Sequence, residues 1–415
     1  MRVLWISNVI FPDACKHIGI DVPYGGGWMY SCAKALLKES EDIQLSVISF
    51  YKANKFLHFK ENSIQYYLIP LENDKKYDKN LEAYYIKIKQ EFQPEIIHIH
   101  GSEYPHSLAY IKACGNQNVI VSIQGMVSIY SQYYLGHIDY KCIKKYRTLR
   151  DLIRKDSLLD QQKEMQKRGE YEKELISKVK YIIGRTTWDY SCSWAINPTS
   201  KYFKCDEILR STFYKKNWHY STCEPFRIFL SQAHYPIKGL QQVIQALPIV
   251  LKRFPETKVY VAGNNFISKS RLRRNGFANY INHLMQKNQV TDKFIFLGNL
   301  TEEEMAEQFI KANVFICPSV IENSPNSIGE AQLIGTPTIA SYVGGTMDMI
   351  TDTIDGYLYR YEEISLLSLR ICNIFEDKEL ATRLSIKARE TAHKRHNPQT
   401  NVNKLISIYH EILDI

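Results

Sequence analysis

Two carboxylates, Glu322 and Glu330, stand with seven residues between them in the stretch VFICPSVIENSPNSIGEAQLIGTPTIASYVGGTMD, Val314 to Asp348. A carboxylate accepts paired hydroxyls, as a ribose or a hexose presents them. Glu330 is read at a helix start, where free backbone N–H groups and the helix dipole suit a phosphate. Glu322, at a strand end, is placed to hold the hydroxyls of a second sugar. Between them Asn326, Ser327, Ile328 and Gly329 form part of a short loop whose main chain can approach a ligand. The implied site holds a nucleotide, a diphosphate and a sugar in a row. The plain alternative, solvated loop and cap residues, would prevail for two glutamates standing alone.

The elements that must position this pair are legible around it. VFICPS is a short buried strand, the segment from Glu330 to Ile334 begins a helix that stops at Gly335, and TIAS is the next strand. That strand-loop-helix-strand unit puts the loop at the carboxyl end of a parallel strand, where open α/β sheets bind ligands. A second such loop, SQAHYPIKGL, follows the strand Phe226–Leu230 and carries Lys238 just before a helix. A cation there pairs with a diphosphate leaving group. Strands at 259–265 and 294–300 run into the small polar loops of Gly263 and Asn264 and of Asn299 and Leu300. Thr301 with Glu304 forms a capping box for the helix that follows.

In the first half, strands at 3–8, 45–50, 96–100, 119–123 and 181–186 alternate with helical patterns, which predicts a parallel doubly wound sheet. A glycine cluster, Tyr24-Gly25-Gly26-Gly27-Trp28, stands between the first strand and the first helix and lets the backbone approach an anion. The other strands end in polar tips: His100 to Glu103, Gln124 with Gly125, and Arg185 with Thr186. His98 and His100 share a strand face, and only His100 is expected within reach of a ligand. Residues 141–180 read as basic and helical, with apolar residues at helical spacing. That pattern fits either an anionic membrane surface or a solvated helix face.

The stretch ENSPNSIGEAQLIGTPTIASYVGG, with K-G-L and the glycine loop ahead of it in order, resembles the E-x7-E element of retaining, GT-B-fold glycosyltransferases of the family 4 (group 1) type. The resemblance implies two Rossmann-like α/β domains facing across a cleft, residues 1–220 for the acceptor and 221–397 for the nucleotide sugar. It also implies a last helix, 398–415, packed back on the first domain. It gives the donor diphosphate to Gly26, Gly27 and Lys238, and the ribose to Glu330. The base falls near Asn299 and Leu300, and the sugar and acceptor pocket near Gln124, Gly125 and Arg185. Two positions depart from the family pattern. Gln232 stands where an arginine usually assists the lysine, leaving His234 as the candidate replacement cation, and Gln124 stands where a histidine usually contacts the sugar.

The expected chemistry is transfer of a hexose from a UDP- or GDP-linked donor to a hydroxyl of a glycan or lipid-linked glycan, with retention. Glu322, Lys238 and His100 are the candidate catalytic residues. No D-x-D pair is placed to hold Mg²⁺, so charge on the departing diphosphate is expected to be met without a metal or other cofactor. An epimerase of the same fold, with His100 as proton shuttle, stays open. So does a pyridoxal-type phosphorylase, for which no lysine motif is present. A nucleic-acid module would need the basic stretch alone, and no nucleic-acid motif accompanies it.

The net charge of +9 suits anionic partners without choosing among them. Nine scattered cysteines with no C-x-x-C pair read as reduced thiols, and the amino-terminal MRVLWISNVIFPD as a first strand rather than a signal peptide. The expectation is a cytoplasmic protein, in peripheral contact with the inner membrane face if 141–180 touches lipid, and no nucleic-acid partner.

Overall fold

The computed structural model of the chain describes residues 1–22, 26–267, 270 and 273–414; Tyr24 and Gly25 of the glycine cluster lie outside them. The chain forms two compact units. Unit 1 comprises Met1–Ser131, Glu164–Leu209 and His396–Ile415, and unit 2 comprises Gln132–Lys163 and Arg210–Arg395.

Unit 1 is built on β1 (Arg2–Ser7), β2 (Gln44–Tyr51), β3 (Leu57–Glu61), β4 (Ile64–Pro70), β5 (Ile96–His100), β6 (Val119–Ser122), β7 (Tyr181–Gly184) and β8 (Lys201–Lys204). They lie in the order β3-β4-β2-β1-β5-β6-β7-β8, parallel throughout except for the β3–β4 hairpin. The central strands are buried end to end because helices cover both faces, so their residues read as continuous apolar runs. The helix Pro398–Leu413 packs in this unit. Its Tyr409 hydroxyl accepts from Trp5 Nε1 at 3.0 Å and meets His98 Nδ1 at 2.6 Å.

Unit 2 is built on β9 (Arg227–Leu230), β10 (Lys258–Ala262), β11 (Phe294–Gly298), β12 (Val314–Cys317), β13 (Thr338–Ser341) and β14 (Tyr357–Tyr359). Their order, β11-β10-β9-β12-β13-β14, is all parallel and reverses direction between β9 and β12. In both units the strand order changes sense beside the first strand, so each has a crevice at the carboxyl ends of two neighbouring central strands. The capping box of Thr301 and Glu304 forms as the sequence predicts, at the start of the helix Glu302–Lys311.

The units cut the chain differently from the expected boundary at 220. Unit 2 begins again at Arg210, and it also takes 132–163. That segment is anchored by Asp151, which is buried and accepts from the backbone N–H of Gly276 at 2.8 Å. Nor is 141–180 one amphipathic helix. It breaks into Tyr140–Tyr146, Leu149–Arg154 and Leu158–Lys178, the last with its apolar Leu175 and Ile176 buried in unit 1.

Candidate active site

The reversal between β9 and β12 brings together residues far apart in sequence. Lys238 follows β9 and Glu322 follows β12, and Lys238 Nζ lies 2.5 Å from Glu322 Oε1. The same carboxylate oxygen accepts from Ser319 Oγ at 2.8 Å. Both side chains are largely buried, Glu322 to 6% exposure. Burial alone would lower the Lys238 pKa, but the charge of Glu322, with help from Tyr235 and Cys317, outweighs it and holds the value well above the ordinary lysine range. Lys238 is therefore a fixed cation at neutral pH.

Two glycines make this approach possible. Gly239 sits at φ +70°, and a Cβ there would collide with the Pro318 carbonyl oxygen, so the Lys238 turn can lie flat against the end of β12 only without a side chain. Gly344, at φ +51°, is pressed in the same way against the carbonyl of Glu322, which also accepts from Gly345 N at 3.0 Å. The G-G pair thus fixes the backbone that carries Glu322.

A cavity of about 260 Å³ opens beside the pair, lined by Gln232, Lys238, Ser319, Glu322, Asn326 and Ser327 among others. The helix Asn326–Ile334 points its amino end into this space. Its N-cap is Pro325, with no side-chain cap, and its first turn holds no acidic residue. Glu330 is therefore not at the helix start, as the sequence suggested, but five residues in. Ile328 and Gly329 are likewise buried helix residues, and the amino end proper belongs to Asn326 and Ser327.

Glu330 is 4% exposed and ion-paired with Arg210, whose Nε and Nη2 reach Oε1 at 2.9 and 2.7 Å. Burial pushes the Glu330 carboxyl up, and Arg210 opposes that. Arg210 is the site residue that sequence reasoning missed. It precedes a short helix, Ser211–Lys215, in an irregular stretch, and no motif surrounds it. Gly263 stands next to Gln232 and donates to Gly298 O at 2.8 Å, tying together the ends of β10 and β11. Asn264 and Asn299 are exposed at those ends and Leu300 is half-buried. His234 does not replace the missing arginine. Burial and the neighbouring Lys238 lower its pKa, so it is neutral where Lys238 is charged.

In unit 1 a short helix, Pro12–Ile18, follows β1, so the glycine cluster precedes the second helix rather than the first, and Gly26 adopts φ +79° as the N-cap of that helix, Gly27–Glu39. His100, expected at an accessible tip, is instead buried against Trp5, Trp28 and His98, with neither ring nitrogen hydrogen-bonded among the described residues. Burial, with Arg185 nearby, takes its pKa down to about 3, so it is neutral and ill-suited to shuttle protons. His98 is structural, bridging Tyr409 and Ser122 at 2.6 Å each. Arg185 is also not a free pocket residue. Its guanidinium pairs with Glu207 and donates to the carbonyls of Ile123 and Gln124, which holds the tip of β6 in place. Gln124 itself is half-buried near Met29, and Gly125 donates to Glu103 at 3.1 Å.

Two doubly wound parallel α/β units, with a polar site at the switch point of the second, define a protein of the GT-B class. Known structures agree on the fold. Sucrose-phosphate synthase from Thermosynechococcus elongatus matches with a TM-score of 0.74 at 16% identity, over 100% of this chain and 99% of that one. The Anabaena protein HepE, solved in complex with UDP-glucose, matches with a TM-score of 0.66 at 12% identity, over 98% and 100%. Residues 215–391 match the family model of glycosyl transferases group 1. Among curated relatives, N-acetyl-alpha-D-glucosaminyl L-malate synthase of Bacillus anthracis is 24% identical over 213 residues, 51% of each chain. The chain spans about half the length of the curated relatives it matches.

Proposed function

We propose that the protein is a retaining glycosyltransferase that moves a hexose-type sugar from a UDP- or GDP-linked donor to a hydroxyl of a glycan or lipid-linked glycan, in the synthesis of a bacterial surface polysaccharide. One observation carries the reading. A fixed buried cation, Lys238, and an uncapped helix amino end converge on one cavity of about 260 Å³ at the switch point of a doubly wound parallel sheet. Both would meet negative charge growing on a departing diphosphate, which is electrostatic catalysis with no metal required. Glu322, placed against Lys238, would accept hydroxyls of the transferred sugar, and Glu330 with Arg210 would hold the ribose. The acceptor hydroxyl would attack on the face that the leaving group vacates, and a phosphate oxygen would take its proton. The neutral, buried His100 weakens the epimerase alternative, which needs a proton shuttle. The protein would work in the cytoplasm, with the basic stretch 141–180 in peripheral contact with an anionic membrane. Among the described residues no helix is long and apolar enough to cross a membrane.

The test is thermal stabilisation by UDP, GDP, ADP and their sugar conjugates, with and without EDTA. A nucleotide at 100 times its dissociation constant adds about 2.7 kcal/mol. One base should stabilise the wild type equally with EDTA present, and Glu330→Ala should weaken that base's binding by about tenfold to a hundredfold through the lost ribose contact. No stabilisation by any nucleotide would overturn the proposal, and loss of the effect in EDTA would overturn its metal-independent form.

A further inference from the structure

We propose that Leu149, Leu152 and Ile153 form an apolar wedge that inserts into the interfacial layer of an anionic lipid bilayer, flanked by cations that meet the headgroups. The inference rests on the peripheral-membrane reading above and narrows it to one short helix.

Leu149 is 78% exposed, Leu152 48% and Ile153 82%, all on the helix Leu149–Arg154. Residues three and four apart share a helix face, so the three side chains form one continuous apolar surface. A single exposed leucine is ordinary, but three large aliphatic side chains crowded on two turns mark a contact surface. Lys141, Lys144, Lys145, Arg147, Arg154 and Lys155, which flank them in the sequence, are all exposed. Among the described residues only Arg147 of these six approaches a carboxylate, Asp160 at 3.8 Å. The local acids are already engaged: Asp151 is buried, Asp156 pairs with Arg150 at 2.9 Å, and Asp139, though exposed, caps its own helix at Lys141 N, 2.8 Å. Exposed aliphatic groups flanked along the chain by exposed cations, five of the six without a carboxylate partner among the described residues, fit an anionic bilayer surface.

The helix is held firmly enough to present the wedge. Thr148 and Asp151 form a capping box, and Asp151 also accepts from Gly276 N at 2.8 Å. The neighbouring helix Leu158–Lys178 contrasts with it. It exposes no large apolar side chain and mixes its lysines with glutamates, so there the solvated-face reading holds.

Flotation of the full chain with vesicles separates the possibilities. Wild type should float with vesicles of phosphatidylcholine and phosphatidylglycerol, and far less with phosphatidylcholine alone. Leu149→Ser/Ile153→Ser should lower partitioning to the anionic vesicles by about tenfold per side chain. Its melting temperature and nucleotide stabilisation should match wild type. Lys144→Gln/Lys145→Gln should lower partitioning by roughly fivefold per lysine. If the serine variant floats like wild type, the wedge is wrong while the electrostatic contact stands. If wild type does not float with anionic vesicles at low salt, both are wrong. A self-association of wild type that the serine substitutions abolish, without flotation, would assign the surface to a second copy of the chain instead.

Discussion

Replacing Glu322 by glutamine keeps the shape and one acceptor oxygen but removes the charge and strands the Lys238 ammonium in a largely buried position. Side-chain exposures of 18% for Lys238 and 8% for Glu322 put the pair in the regime where removing one partner costs about 3 kcal/mol. Lys238→Met should cost a similar amount, by leaving Glu322 unpaired. The double variant removes both charges, so it should lose about 2 kcal/mol or less rather than the roughly 6 that simple addition gives. At roughly 2–4 °C per kcal/mol for a unit of this size, each single variant melts about 6–12 °C below wild type. The pH dependence supplies a second check. In wild type the folded-state pKa of Lys238 is raised, so its contribution is fully present below the ordinary value of 10.5 and lost only as pH rises through the folded value. In Glu322→Gln burial dominates and depresses the lysine pKa. The unfolded chain then binds more protons than the folded one, and stability rises with pH. The gap between wild type and Glu322→Gln, measured by thermal melts, should therefore narrow between pH 7 and 9.5. Additive single-variant costs, or a gap that does not change with pH, would refute the argument.

Two further outcomes follow from single residues. Gly239→Ala should destabilise by about 3 kcal/mol, because it combines a left-handed backbone with a collision at the Pro318 carbonyl; a melting temperature within a degree of wild type would show that the turn is not so constrained. Glu103, whose pKa burial and the nearby Glu172 raise to about 7, should make stability fall as pH rises from about 4.5 to about 7, by about 3 kcal/mol, since the folded state holds its proton longer than the unfolded one. Glu103→Gln should remove that part of the slope, as urea titrations at several pH values would show.

The site's scaffold was legible in the sequence because its strands are β-branched and stop at clear breaks. β13 runs over Thr338–Ser341 as read, and β9, β11 and β12 differ from the reading by a few residues at most. The β3–β4 hairpin was not read, although its signal is present. Asn62 and Ser63 form a two-residue loop with φ of +45° and +68°, and small polar residues supply that conformation between alternating strands. β8 and β14 were missed for different reasons: β8 is an edge strand with a lysine at each end and no buried residue, so it lacks the apolar run of the central strands, and β14 is only three residues long. Periodicity names a buried face but not its partner. The apolar spacing within 141–180 could therefore be read without revealing that Asp151 accepts from Gly276 and that 132–163 belongs to unit 2. The same limit hid Arg210, which meets Glu330 across 120 positions of sequence.

That pairing changes how donor binding must work. Glu322 is matched by Lys238 and Glu330 by Arg210, so each carboxylate taken from the motif already has a cation in the free protein. In the proposed reaction a diphosphate reaching Lys238 competes with Glu322 for the ammonium, and binding is an exchange of partners rather than the filling of an empty charge. Such an exchange gains little from Lys238 alone, because the lost ion pair offsets much of the new one. The uncapped amino end at Asn326 and Ser327 is different: it has no acidic residue in its first turn to give up. The net attraction for the donor's phosphates therefore has to come largely from that helix end. In that proposed reaction Lys238 would contribute most when charge grows on the leaving group, at which point Glu322 would be released to the sugar hydroxyls and the ammonium held where it is needed.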